Sequence, residues 1–494
     1  MFIPKSTRLS LKPIRSSSAD MNRLMLPQKF NGPGLPLEFF IEGGRTRDGC
    51  SLIPKLGMLS LLSENYNVNY FNKTVPDVLL VPISMTYERV PEGLDMTQQR
   101  LGKKKSVESF WNIAWIGFKL LFSVGGSTNK GKMHVSCGAP LSLKRLLEEG
   151  TPEHEKTGTK SFTISNQAIF SVASSVQCAI RNITVVPWTS VVAACILSRV
   201  HASTGALRPT LLNEVVYDVI DMFALLRLVG GKLPNGVLCG RKNVGEKCTT
   251  KQFLKIKKNV IRCLLVLDVA MDTKRGKGAK RAKGTKGTAK DLTMVYDEKM
   301  VSPTRRLELS SIRNQWTHLL SFIPYDQVID FNNVNASLKS DLTQVSTLKQ
   351  CVTAIVSHRY RLDRSNPMVG LTLTERQRNV IRAVVHSAFD VYVHVGEYIS
   401  NVESKNAINT LLPTKDMAIS IQQLMKPSSS CDTLALDTLC QSIEYYRTGN
   451  RSSSGSVKYD TCIEDVRTIY DLFGIDDVKE EALEDGTCTP LWEL

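Results

Sequence analysis

Hydrophobic texture changes near residue 150, and that change constrains the fold more than any other feature. Before it, apolar residues come in short runs ended by Pro or Gly: Leu37 to Ile41 stops at Glu42-Gly43-Gly44, and Val78 to Met85 is broken only by Pro82 and Ser84. Such runs read as buried strands of an α/β sheet. Ser109 to Phe122, with Trp111, Trp115, Phe118 and Leu121 at helical spacing, reads as an amphipathic helix, and Met133 to Cys137 as a strand before Gly138-Ala139-Pro140. After it, apolar residues recur every three to four positions over Ser165 to Arg181, Val185 to His201, Leu211 to Val229 and Phe253 to Ala270. Further helices are expected at Leu309 to Phe322, at Leu371 to Tyr398 with Thr372 or Thr374 as cap, and at Asp460 to Phe473. The expected architecture is therefore α/β at first and mostly α-helical afterwards.

Charge divides the chain further. Its 494 residues carry a net +16, a balance suited to polyanionic partners. Lys274 to Lys290 holds Lys274, Arg275, Lys277, Lys280, Arg281, Lys283, Lys286 and Lys290 with no acid among small residues, which reads as a disordered loop. No aromatic ring stands among these bases to stack on a base, so nucleic acid is not the expected partner. From Asp460 onward the chain becomes an acidic tail. The expected organisation is an irregular segment over 1–36, an α/β part over 37–150, a helical part over 160–400 with the basic insertion at 272–291, and a C-terminal part over 401–494.

Twelve scattered cysteines without zinc-site spacing indicate a reducing compartment and no structural metal. Lys5, Arg8, Lys12 and Arg15 in an acid-free start are compatible with a mitochondrial transit peptide, although Pro4 and Pro13 interrupt the helix it would need. No window of about eighteen apolar residues suggests a spanning helix. Phe110 to Val124 and Val185 to Val200 come partway, as buried core helices or as contacts with one membrane leaflet.

The chemistry concentrates at Phe39-Phe40-Ile41-Glu42-Gly43-Gly44-Arg45-Thr46-Arg47, followed by Pro54-Lys55-Leu56-Gly57. Glycines let backbone amides approach an anion, and a guanidinium can grip two phosphate oxygens at once, so a phosphate site fits here. A solvent-exposed turn with surface arginines fits the same residues.

Phe40 to Arg47 resembles the third conserved block of the glycerol-3-phosphate and dihydroxyacetone-phosphate acyltransferases. Leu80-Val81-Pro82-Ile83-Ser84-Met85-Thr86-Tyr87-Glu88-Arg89 is similar to their next block. The likeness continues through Leu101-Gly102-Lys103-Lys104-Lys105, Glu108-Ser109 and Trp111 to Pro140-Leu141-Ser142-Leu143-Lys144. It is close over about 37–147 and then thins to stretches such as Arg313-Asn314-Gln315. Glu88-Arg89 with Glu92-Gly93 looks like the mitochondrial glycerol-3-phosphate branch, whereas Pro54-Lys55 with Gly57 looks like the dihydroxyacetone-phosphate branch. The resemblance implies an incomplete acyltransferase-type sheet-and-helix domain. It further implies that Glu42, Gly43, Gly44, Arg45 and Thr46 bind glycerol 3-phosphate, with Pro82 in the substrate pocket. Acyl-CoA would be a co-substrate, with no bound cofactor, and a membrane surface the third partner. The mitochondrial outer membrane is the first home this implies, the endoplasmic reticulum or peroxisome the alternatives.

The family's first block, His-x-x-x-x-Asp, supplies the general base, and no histidine here precedes His134. The expectation is a chain that begins inside the catalytic domain or, failing that, a pseudoenzyme. His358 and Asp363 form the chain's one His-x-x-x-x-Asp, some three hundred residues after the phosphate block instead of before it. His134, His318, His386 and His394 read as core or helix-surface residues, and Ser84 and Ser142 lack a nucleophile's company.

Overall fold

A computed structural model describes residues 37–43, 49, 54–63, 77–90, 93–100, 131–150, 164–200, 206–208, 210–234, 249–274, 292–319, 348–362, 373–385, 387, 468–469 and 471–473. The expected helix Ser109 to Phe122, the Phe110 to Val124 segment, His386, His394 and the tail beyond residue 473 lie outside these. The described residues are mostly helical, with three small sheets. They fall into two compact units: 1–45, 53–84 and 136–183 form the first, and 46–52, 85–135 and 184–494 the second.

In the first unit, strands β1 (Leu79–Leu80) and β4 (Leu141–Ser142) pair antiparallel, with Leu79 opposite Ser142. Strand β2 (Ile83–Tyr87) neighbours β3 (Met133–Cys137), and both pass from one unit into the other. The apolar run Val78 to Met85 is thus two strands. Pro82 has no N–H to offer a ladder and marks the break. The run is buried on one side only: Leu80, Pro82 and Ser84 are buried, whereas Leu79, Val81, Ile83 and Met85 are exposed. Leu37 to Ile41, expected as a buried strand, is not one. Leu37 and Phe40 are 51% and 62% exposed, and only Ile41 is buried, because the run ends in a turn before a second strand can pair along it. Met133 to Cys137 is a strand as expected.

Asp77 ties this unit together. Its Oδ1 accepts the N–H of Val78 at 2.8 Å and of Lys144 at 3.1 Å, fixing β1 against the start of helix α2 (Leu143–Gly150). Ser142 Oγ accepts the Arg145 N–H and so caps that helix. Helix α3 (Asn166–Ile183), at the position its spacing indicated, lays Ile169, Val172, Ala173 and Val176 against Leu143, Leu147, Leu59, Leu80 and Ile41 in one apolar core.

The second unit is built around helix α4 (Trp188–Leu197), whose residues from Trp188 to Ile196 are all buried. A helix apolar on every side belongs in a core, which settles the Val185 to Val200 segment as core helix. Around it pack α5 (Leu212–Leu228), α6 (Thr250–Val266) and α7 (Pro303–Arg313), with the Trp188 and Phe223 rings edge-on at 4.7 Å. Thr249 and Gln252 form a reciprocal capping box at the start of α6. Thr374 and Gln377 exchange bonds in the same way before the helix over 375–385, which identifies Thr374 as the cap.

The sheet here was not expected. Where the helical pattern of Phe253 to Ala270 ends, strand β6 (Ala270–Lys274) begins and pairs antiparallel with β7 (Leu292–Tyr296), Lys274 opposite Leu292, while β5 (Thr210–Leu211) adds to β7. The basic stretch expected over 272–291 therefore joins two paired strands, and Asp272, Thr273 and Lys274 belong to β6 itself. The strands found are antiparallel where their register is defined, in sheets of two and three strands, and no wound parallel sheet is present among the described residues. No helix among them is long and apolar enough to cross a membrane, and no group of side chains there could hold a metal ion.

Candidate functional site

In the first unit, the Gly43 N–H donates to the Phe40 carbonyl at 2.9 Å, closing a turn, and Gly43 takes φ +74°, which a side chain would resist. That amide is spent inside the turn and is not free for an anion, whereas a side chain can be. One is in place. The Lys55 N–H donates to the Ile41 carbonyl at 2.8 Å, which brings the lysine back over the turn. A Cβ built on Gly43 would meet Lys55 Cδ at 2.6 Å and Nζ at 3.4 Å, so the ammonium lies at the glycine. Glu42 is half-buried beside it. Gly44, Arg45 and Thr46 lie outside the described residues.

The same loop reappears in the second unit at Gly49. It has φ +78°, and its Cβ position lies 2.0 Å from the Ser311 carbonyl oxygen of α7, so only glycine fits there. Pro82 is buried in the first unit, its carbonyl accepting the Gly138 N–H at 2.9 Å and its Cγ 2.8 Å from where a Gly138 Cβ would stand. Its ring packs against backbone.

Glu88 and Arg89, which close the second resembling block, hold the second unit together. The fully buried Glu88 carboxylate receives both Arg262 Nη atoms at 2.6 Å and the Lys132 N–H at 2.8 Å. Arg89 donates to the Val266 carbonyl at 3.0 Å and meets Glu308 at 3.4 Å. Arg305 joins Asp297 and Glu308, each at 2.9 Å, and the Leu267 carbonyl. His134 stands near this cluster. Burial lowers its pKa below the usual value, with Glu88 acting against that and Lys132 and Arg262 with it, so the neutral imidazole is favoured.

A second charged knot lies on α5. Asp218 bonds Arg199, which also reaches Glu214 at 3.5 Å, and Asp221 is held by Arg359 at 3.1 Å and Arg376 at 2.8 Å. Burial lifts Asp218 to about 6, more than Arg199 lowers it, and lifts Asp221 in the same direction. His358 occupies the last turn of helix α8 (Leu348–Tyr360), next to Arg359, and the chain leaves the helix at Arg361 with φ +54°. Asp363 lies outside the described residues. His358 belongs to the second unit, and Glu42, Gly43, Lys55 and Pro82 to the first.

A family model described as the glycerol-3-phosphate acyltransferase C-terminal region matches residues 96–224, α1 (Gly93–Arg100) through most of α5. Over that quarter of its length the chain is similar to the glycerol-3-phosphate acyltransferases. Glycerol-3-phosphate acyltransferase of Hamiltonella defensa is 33% identical over 131 residues, 26% of this chain and 15% of that protein. Mitochondrial glycerol-3-phosphate acyltransferase 1 of Sus scrofa is 35% identical over 112 residues, 23% and 12% of the two chains. The Xanthomonas campestris enzyme is 32% identical over 120 residues, 24% and 12%. The chain thus spans about an eighth of the length of the acyltransferases it matches. The family match lies downstream of the two blocks on which the sequence resemblance rested, and extends past the 37–147 expected for it. Glu42, Lys55 and Pro82 precede the matched acyltransferase region, and His358 follows it. Lys55 was noticed in the sequence only as a mark of one family branch; its place over Gly43 depends on a turn that spacing alone does not reveal.

Proposed function

We propose that this chain serves acyl transfer from acyl-CoA to the sn-1 hydroxyl of glycerol 3-phosphate, giving lysophosphatidic acid. In that reaction the hydroxyl oxygen bonds to the thioester carbonyl carbon, the carbon–sulfur bond breaks, and the hydroxyl proton ends on the departing CoA thiol. Lys55 and Arg45 take the phosphate beside the Glu42–Gly43 turn. Acyl-CoA enters as co-substrate, and the long acyl chain places the work at a membrane surface. A mitochondrial home, the outer membrane first, is our reading; mammalian relatives named as mitochondrial support the organelle, and bacterial relatives stand beside them.

The observation that carries this reading is the Lys55 ammonium brought onto the Gly43 turn, in a chain whose 96–224 region is similar to that of the acyltransferases. A charge-assisted bond to a phosphate is worth about 1.5–3 kcal/mol, so Lys55→Ala should weaken glycerol 3-phosphate binding by roughly tenfold or more. Lys55 also supports a second acceptor, because Pro54-Lys55 with Gly57 is the feature resembling the dihydroxyacetone-phosphate branch.

The test is acyl transfer from palmitoyl-CoA to labelled glycerol 3-phosphate and, separately, to dihydroxyacetone phosphate, with calorimetric binding of each acceptor. The parent chain is compared with Lys55→Ala, Arg45→Ala and His358→Ala. Binding lost in the first two variants is the expected pattern; transfer lost in the third as well would mean that the downstream histidine has been recruited as base. A parent that binds neither acceptor, or binding indifferent to Lys55 and Arg45, overturns the reading.

A further inference from the structure

Helix α6 carries five bases and no acid: Lys251, Lys255, Lys257, Lys258 and Arg262. At about 100° per residue, Lys251, Leu254, Lys255, Lys258, Arg262 and Leu265 fall within one arc of about 100°. The opposite face is the buried one, with Ile256, Val260, Cys263 and Leu264 in the core of the second unit. The outer arc is open: the three lysines are exposed, and Leu254 and Leu265 are 58% and 47% exposed along one edge. Arg262 alone turns inward, to Glu88. Among the described residues none of the three lysines meets a carboxylate.

We infer that this face of α6 docks on an anionic lipid surface. Three exposed ammonium groups in a row complement a sheet of negative headgroups, and two leucines at the edge of the row supply apolar contact that a purely aqueous polyanion would not reward. A single-stranded nucleic acid would favour exposed rings between the bases. The aromatic residue of this helix, Phe253, is half-buried against Tyr217, with ring centroids 4.9 Å apart. The inference rests on the membrane-surface part of the proposed function alone and assigns that part to a helix outside the matched region.

The experiment is flotation of the full chain with phosphatidylcholine vesicles, with and without phosphatidylserine. The comparison is with the triple variant Lys251→Glu, Lys255→Glu, Lys258→Glu. Each lysine contributes about fivefold at such a surface, so losing three positive charges costs on the order of a hundredfold in binding to the phosphatidylserine vesicles, and the triple reversal to Glu should cost at least that. Added salt should weaken the parent in the same direction. Because the stretch 275–291 is also basic, both chains are tested again with that stretch replaced by an Asn-Gly turn, and the α6 dependence should persist. A parent that does not float, or a triple variant that floats equally well, overturns the inference. So does lysine dependence seen with single-stranded RNA and absent with vesicles. Acyl transfer assayed in detergent is expected to be the same in parent and triple variant, so the surface and the acyl-transfer reading can fail separately.

Discussion

The two units hold themselves together by different physics. The first collects short pieces of chain around a mainly apolar core, and its described polar ties include backbone amides gathered by Asp77, Ser142 and Ser165. The Arg145–Glu149 ion pair there is at the surface. The second is a helical core crossed by buried ion pairs, Glu88 with Arg262, Asp297 with Arg305, and Asp218 and Asp221 with three arginines. Apolar contact is indifferent to direction, whereas a bidentate pair fixes one helix against another at one register. A unit assembled mainly from helices, which could slide along one another, has most use for such pins.

The comparison breaks most sharply at Glu88. Arg262→Met leaves a fully buried carboxylate with one amide and no cation, and removing one partner of a buried pair costs about 3–5 kcal/mol. Urea unfolding followed by Trp188 and Trp316, both buried in the second unit, should show a loss of that size. Adding Glu88→Gln should recover part of it, because the stranded charge is then gone. Arg145→Met in the first unit should leave the transition where it was.

Asp218 gives a subtler contrast, in pH. Its carboxyl ionises near 6 in the folded chain and near 3.8 when free, so between those values the folded state holds a proton that the unfolded state releases. Its contribution to stability is therefore fully present below about 3.8 and is lost as pH rises through about 6. Measured as urea midpoints across this window, the parent should fall relative to Asp218→Asn as pH rises. Arg199, Arg376 and Asp221 face the group, and the loss should come despite the two arginines. A parent that gains on the variant over the same window would mean that Arg199 outweighs burial.

How far the sequence discloses this molecule depends on the range of the interaction. Helices were legible because their signal is local: the three-to-four spacing over Ser165 to Arg181 and Leu211 to Val229 became Asn166–Ile183 and Leu212–Leu228 within one or two residues. The hairpin of β6 and β7 was hidden, since Ala270–Lys274 continues the texture of the preceding helix and its partner lies beyond the long basic stretch. Pairs 174 residues apart, such as Glu88 with Arg262, leave no trace in spacing at all. At the candidate site the glycines and the turn were readable, but Lys55 over Gly43 was not. Nor was it apparent that the Gly43 amide is used within the turn, or that Gly49 faces a carbonyl.

Those two glycines sharpen the comparison last and most finely, because both have positive φ and differ in what surrounds them. At Gly43 the obstacle to a Cβ is the flexible end of Lys55; at Gly49 it is the backbone carbonyl of Ser311, which cannot swing aside. Gly43→Ala should cost about 1 kcal/mol, the conformational penalty alone, and Gly49→Ala about 2 kcal/mol, since the loop or α7 must also move. Asparagine separates the two causes, for it tolerates left-handed φ yet still carries a Cβ. Gly43→Asn should regain most of what Gly43→Ala loses, while Gly49→Asn should be as damaging as Gly49→Ala. Urea midpoints of the four variants separate the two cases: equal losses in Gly49→Ala and Gly49→Asn, with Gly43→Asn close to the parent, are the result expected.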